Sequence, residues 1–201
     1  MLDRAALSRD AVEVAPELLG ALLTHRTGEG DVTVRLTEVE AYRGLGQDPG
    51  SHAHRGMTPR TTTMFGDAGH LYAYFTYGMH TCVNIVCSPA GSASAVLLRA
   101  GEVVDGIDLA RSRRPSATRD RDLARGPARL ASALGIRLAE DGADLFADPF
   151  ALLAADAGVG VASGPRVGVS GAGGGAAYPW RFWIPGDPTV SAYRRHARSH
   201  D

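Results

Sequence analysis

The chain has 201 residues, of which 44% are hydrophobic, and a formal net charge of -1. That length suffices for one well-packed core and is short for two, so a single domain over 1–201 is expected. The N-terminal stretch lacks a basic segment followed by an apolar run, and no later segment matches a bilayer span. These features argue against an exported or membrane-embedded protein and lead to the expectation of a soluble, cytoplasmic one. Near-neutral charge excludes a surface coated in positive charge but leaves room for a local basic patch. All 21 basic residues are arginine. Without a lysine amine, any Schiff-base mechanism would have to use the N-terminal amine.

In chain order, Pro16 followed by Leu18, Leu19, Leu22 and Leu23 predicts a short amphipathic helix with proline in its first turn. Strands are predicted near 31–42, 70–76, 80–87 and 95–100, separated by loops bearing Gly and Pro. The loop 43–69 is long and carries His52, His54, Arg55 and Arg60, which favours a functional role. Cys82 and Cys87 differ in strand parity, so they are expected to be unbridged thiols. Residues 101–114 read as helical. "GPARLASALG" predicts a second helix with Pro127 in its first turn and Gly135 as its stop. Between positions 111 and 129 lie Arg111, Arg113, Arg114, Arg119, Arg121, Arg125 and Arg129 against only Asp120 and Asp122. This stretch is either a phosphate-binding face or a solvated one. Near the end, Gly173, Gly174 and Gly175 read as a flexible, featureless loop, and "YPWRFWIPG" as an aromatic strand.

Three polar residues interrupt runs that otherwise suit buried strands: Glu40, Asn84 and Arg99. Val32, Val34 and Leu36 share one strand face, and unbroken period-2 alternation carries Glu38, Glu40 and Tyr42 onto that same face. An unpartnered buried polar group costs roughly 1–3 kcal/mol, so one shared wet cleft is the economical expectation. Glu38 and Glu40, about 6.6 Å apart by strand rise, suit three uses. They could form a glycosidase carboxylate pair, a metal site with His52 or His54 added, or one general base beside a structural carboxylate. A slip of parity at Thr37 would instead turn both towards solvent. "LYAYFTYGMH" places Tyr72 and Tyr74 on one face, with a turn able to present Tyr77 and Met79 outward. Aromatic rings beside Arg and His can grip a nucleobase, and a protruding Tyr can pry bases apart. No nucleotide-binding P-loop, dinucleotide fingerprint, G-x-S-x-G or C-x-x-C pattern occurs, and the H-x-H pair lacks a third ligand at metal spacing.

Six segments, "LTEVEAY", "DPGSHAHRGMTPRTTTMFGDAGHLYAYFTYGMHTCVNIV", "AVLLRA", "GPARLASALGI", "RVGV" and "PWRFWIPGDPTVS", resemble in order and spacing the alkyladenine (3-methyladenine) DNA glycosylase family. The resemblance implies an α+β fold: one domain with a mostly antiparallel, curved β-sheet core flanked by helices. It also implies a monofunctional glycosylase of base excision repair that takes a damaged purine out of duplex DNA and leaves an abasic site. By position it assigns Glu40 as the general base that activates water and Arg99 as the group that positions both. Tyr42 would stack on one face of the extruded base and His52 and Tyr74 on the other. Asn84 would form the pocket floor, and Tyr77 with Met79 the intercalating wedge. The partner implied is damaged duplex DNA, with no metal or other cofactor, no membrane contact and a monomeric state. His80 stands where the family often has an aromatic ring. A non-catalytic reader of damaged DNA and a metal-dependent hydrolase using Glu38, Glu40, His52 and His54 are the alternatives.

Overall fold

The structure is a computed structural model that describes residues 2–76, 78–156 and 158–201. Helix α1 (Arg4–Leu7) and helix α2 (Ala11–Glu17) come first, their free N–H groups capped by the Asp3 and Asp10 carboxylates. Pro16 lies inside α2 rather than opening a helix. The predicted helix through Leu22 and Leu23 is instead strand β1 (Leu22–Thr27). Gly20, at φ +83°, ends the helical path, after which Leu23 and His25 alternate inward at the strand period.

Strand β2 (Gly30–Arg43) is the spine of the sheet. It pairs antiparallel with β1, with β5 (Ser94–Asp105) and, over Glu38–Glu40, with β8 (Arg181–Trp183). Beyond β5 lie β4 (His80–Val86) and then β3 (Leu71–Thr76). At the other end, β6 (Phe150–Leu153) follows β1, and β7 (Ala162–Gly164) pairs with β8. Every strand pairing is antiparallel. With α3 (Ile107–Arg113) and α4 (Pro127–Leu134) packed against β2, β4 and β5, the architecture is α+β around one curved sheet. Among the described residues no helix is long and apolar enough to cross a membrane.

The segment 101–114 is not one helix. Strand β5 continues to Asp105, and the helix starts only after Gly106 at φ +71°. Gly101 is part of the strand because a Cβ there would lie 2.5 Å from the Arg35 carbonyl oxygen. The Pro127 helix, by contrast, has its proline at the start and Gly135 as a left-handed cap, as its sequence predicts.

Irregularities in the β2–β5 ladder decide which way the polar residues point. Leu36 pairs with Gly101 and Glu38 with Ala100, leaving Thr37 as an extra residue on β2. Glu38 then pairs with Ala100 and Val39 with Leu98, leaving Arg99 as an extra residue on β5. Parity therefore does slip at Thr37, and the apolar core continues through Val39 and Ala41, not through Glu38 and Glu40. The carboxylates leave the core face but do not reach solvent, since both are 0% exposed. They lie under a second layer made of the segments around 166–170 and 189–191.

Candidate active site

A cavity of about 520 Å³ opens on that polar side of the sheet. Tyr42 enters its lining from β2, Arg99 and Leu97 from β5, Asn84 and Cys82 from β4, and Tyr72 and Tyr74 from β3. Strands β2 and β3 are separated by two others, so it is the sheet's curvature that brings Tyr42 and Tyr74 to one space. The long loop contributes Pro49–His52, the start of α4 contributes Gly126–Arg129, and a further loop contributes Val167–Ser170. Six sequence-predicted residues are thus gathered here: Tyr42, His52, Tyr74, Asn84 and Arg99 on the wall, and Glu40 directly behind it.

Glu40 is held by groups that face the cavity. Its Oε2 accepts from the Tyr42 hydroxyl at 2.9 Å and from Arg99 Nη1 at 3.4 Å, and its Oε1 accepts the Val167 N–H at 2.7 Å. A carboxylate offers about four acceptor sites, so three donors leave room for one more. Glu38 is held by a different set of donors, with two arginines among them. Arg99 Nε at 3.0 Å and Arg181 Nε at 2.6 Å both donate to Oε1, and the Ser191 N–H donates to Oε2 at 2.7 Å. Burial would raise the Glu38 pKa, but the Arg99 and Arg181 charges outweigh it and hold the group below the usual carboxylate range. Arg99 is likewise fixed as a cation, because Glu40 and Glu38 more than offset the burial that works against its charge. Its Nη2 reaches the Ser191 hydroxyl at 3.4 Å.

The aromatic wall is interlocked. The Tyr72 and Tyr74 rings stack at 5.5 Å, and His52 meets Tyr74 edge-on at 4.7 Å. His52 Nδ1 and the Tyr72 hydroxyl share a hydrogen bond of 3.3 Å. Asn84 Nδ2 donates to the Tyr72 carbonyl oxygen at 3.1 Å, which fixes its amide in the cavity lining. Burial, aided by the nearby Arg60 charge, lowers the His52 pKa, so the imidazole is neutral at pH 7. Burial pushes the Tyr72 phenol up to about 12, and burial followed by the Glu40 charge raises Tyr42 well above its ordinary value. These phenols are uncharged hydrogen-bonding groups at neutral pH.

Two other expectations meet different outcomes. His54 does not line the cavity, and its Nδ1 is buried without a hydrogen-bond partner. Among the described residues no group of three or more His, Cys, Asp or Glu side chains could hold a metal ion. Cys82 and Cys87 are free and buried. Met79 stands 69% exposed in the turn between β3 and β4. Tyr77 lies outside the described residues. Of the arginine-rich stretch, Arg111 pairs with Asp108 and Asp120, Arg113 with Glu29, and Arg125 with Asp122. Arg119, Arg121 and Arg129 carry no ion pair among the described residues and are exposed, with Arg129 at the cavity.

Sequence reasoning passed over Asp48, Arg166, Arg181 and Ser191. Arg166 sits in the noted "RVGV" segment and could have been flagged as a charge in an apolar run. The Ser191 and Val167 contributions to Glu38 and Glu40 are backbone N–H groups, which no side-chain pattern announces. The Gly173–Gly175 stretch is not a featureless loop. Its three glycines are close-packed, and a Cβ on Gly173 would lie 2.5 Å from the Gly50 nitrogen. The Gly173 carbonyl accepts from Arg166 Nη2 at 2.8 Å.

Comparison with known proteins agrees with this geometry. The family described as methylpurine-DNA glycosylase matches residues 5–188. A relative from Leifsonia xyli is 61% identical over 201 residues, covering 98% of this chain and 94% of the relative. Relatives from Streptomyces avermitilis and Nocardia farcinica are each 54% identical, covering 97% and 94% of this chain and 92% and 90% of their own. All three are named, provisionally, as 3-methyladenine DNA glycosylases. With the match spanning the curved sheet and every wall of the cavity, the chain belongs to the methylpurine-DNA glycosylase family and is an enzyme of the DNA glycosylase type.

Proposed function

We propose that this chain is a monofunctional DNA glycosylase that draws a damaged purine, alkylated or deaminated, out of duplex DNA into the Tyr42–His52–Tyr74 cavity. Water activated by Glu40 attacks the sugar C1′, the C1′–N bond breaks, the water proton passes to Glu40, and an abasic site remains. Extruding the base costs a few kcal/mol, least when pairing is already weakened by damage. Tyr42, Tyr74 and His52 offer aromatic faces to the extruded ring, and the Asn84 amide at the floor discriminates against the 2-amino group of normal guanine. Met79 enters the duplex beside Tyr77, whose wedge role rests on the family resemblance alone. Arg119, Arg121 and Arg129 are free to meet backbone phosphates.

The observation that carries the reading is the position of Glu40, a buried carboxylate one layer behind an aromatic cavity with one acceptor site open. Positive charge builds on the sugar as the bond breaks, and a carboxylate held at that spot both stabilises it and accepts the proton. Arg99, shared with Glu38, orients Glu40. The sequence contains no lysine, which fits water as the nucleophile and the absence of strand scission by an enzyme amine. The protein acts as one cytoplasmic, nucleoid-associated domain and a monomer.

The test is incubation with duplexes that each carry one lesion, resolving free base, abasic site and strand break. Release of the damaged base with an intact, alkali-labile strand is expected. Binding to damaged duplex without any abasic product would make the protein a reader of damage, and activity lost to chelators would return the reaction to a metal.

A further inference from the structure

A second buried ion pair lies against the cavity without touching it. Arg166 is fully buried, and its guanidinium carbon stands 4.4 Å from the Tyr42 ring centroid. Nη1 donates to Asp48 Oδ2 at 2.7 Å and Nη2 to Oδ1 at 2.6 Å, and Nη1 also donates to the Ala41 carbonyl at 3.0 Å. Asp48, equally buried, accepts the Arg43 N–H at 3.1 Å and the Gly50 N–H at 2.9 Å. Tyr42 lines the cavity and Arg166 does not, so the guanidinium occupies one face of the ring and leaves the other for a stacked base.

A buried pair of this kind adds little net stability over apolar packing, so its charge calls for another explanation. A purine in van der Waals contact with the free face of Tyr42 would place its ring about 8 Å from the Arg166 charge. At that distance and an effective dielectric near 20, one uncompensated charge shifts affinity for another by roughly tenfold or more. Arg166 alone would therefore disfavour cationic purines, which are among the products of alkylation.

We propose that Asp48 and Arg166 form a specificity-determining pair: Arg166 fixes the Tyr42 ring from behind, and Asp48 cancels its field so that the front face accepts cationic as well as neutral purines. The proposal rests on the reading of this cavity as the base pocket. Neither residue touches the base, and each acts through Tyr42.

The test is single-turnover excision of 7-methylguanine, whose ring carries a positive charge, and of hypoxanthine, which is neutral, from otherwise identical duplexes. In Asp48→Asn the Arg166 charge is left uncompensated, and the cationic-to-neutral rate ratio falls about tenfold. In Arg166→Gln the Asp48 carboxylate keeps the Arg43 and Gly50 N–H groups, and the ratio rises. The ratio is taken within one preparation, so any unfolded fraction cancels, and either variant that folds decides the matter alone. A wild-type ratio in the variant measured, whatever the loss of overall rate, overturns the proposal and leaves the pair as scaffold. If the wild-type protein releases neither base, the glycosylase reading itself has failed and this proposal falls with it.

Discussion

Arg99 donates to Glu38 from Nε at 3.0 Å and to Glu40 from Nη1 at 3.4 Å, so one guanidinium spans two carboxylates of unequal standing. Glu38 is held by two arginines and a backbone N–H, whereas the three donors to Glu40 belong to Arg99, Tyr42 and Val167, all of which line the cavity. Of the uses their spacing allows, this difference fits the one proposed above, a general base beside a structural carboxylate. Arg99 reaches both because it is the extra residue of a β-bulge, which re-aims its side chain.

Glu38→Gln is expected to destabilise the fold by about 3–5 kcal/mol, because it leaves buried Arg181 against a neutral amide and Arg99 with Glu40 as its one carboxylate partner among the described residues. Chemical denaturation measures this. The folded-state pKa of Glu38 is lowered, so its contribution is present above the unfolded value of about 4.3 and is lost as pH falls through the folded value. The stability gap between wild type and Glu38→Gln should therefore be widest at neutral pH and narrow on acidification. A gap independent of pH would contradict the assignment.

His52 is expected to stay neutral to below its ordinary pKa of about 6.5, since burial and Arg60 both disfavour its charge. Once protonated it would repel a cationic base. Affinity for a duplex carrying 7-methylguanine should thus weaken on acidification past that ordinary value. In His52→Phe, which keeps an aromatic face without a titrating group, that part of the pH dependence should vanish. Equilibrium binding across pH 5–8 compares the two. The lowered pKa also means that the unfolded chain takes up this proton first, so His52 itself disfavours folding at acidic pH.

Gly173→Ala is expected to cost about 1–3 kcal/mol and to slow excision, because the added methyl meets the Gly50 backbone and displaces the carbonyl that holds Arg166. Gly28→Ala is the control, with nothing within 4 Å of its added Cβ. Thermal melts of the two variants should separate clearly. Equal melting temperatures would mean that the glycine stretch yields without strain.

Much of this arrangement was legible in the residues. Period-2 patterning located β2, β3 and β4, and the proline and glycine of "GPARLASALG" bounded α4. Glu40, Asn84 and Arg99 stood out as polar breaks in apolar runs, and they do meet at one cavity. Local patterning failed where a distant contact decided the outcome. Leu22 and Leu23 look helical in step with Leu18 and Leu19 but open strand β1, because β2 and β6 pair with it on either side. Gly101 opens the segment that reads as helical but lies mid-strand against Val34 and Arg35. From local sequence a slip at Thr37 points only to solvent, because the layer carrying Val167 and Ser191 lies more than 120 residues away in the chain.

The role of Glu40 is tested most directly by Glu40→Gln, assayed for binding and for base release on the same damaged duplex. Gln keeps the shape and an acceptor oxygen but cannot take the proton from water. The account predicts affinity within a few-fold of wild type and a loss of single-turnover release of at least about a hundredfold, in line with the usual contribution of general acid–base catalysis. A variant that releases the base at the wild-type rate would contradict it.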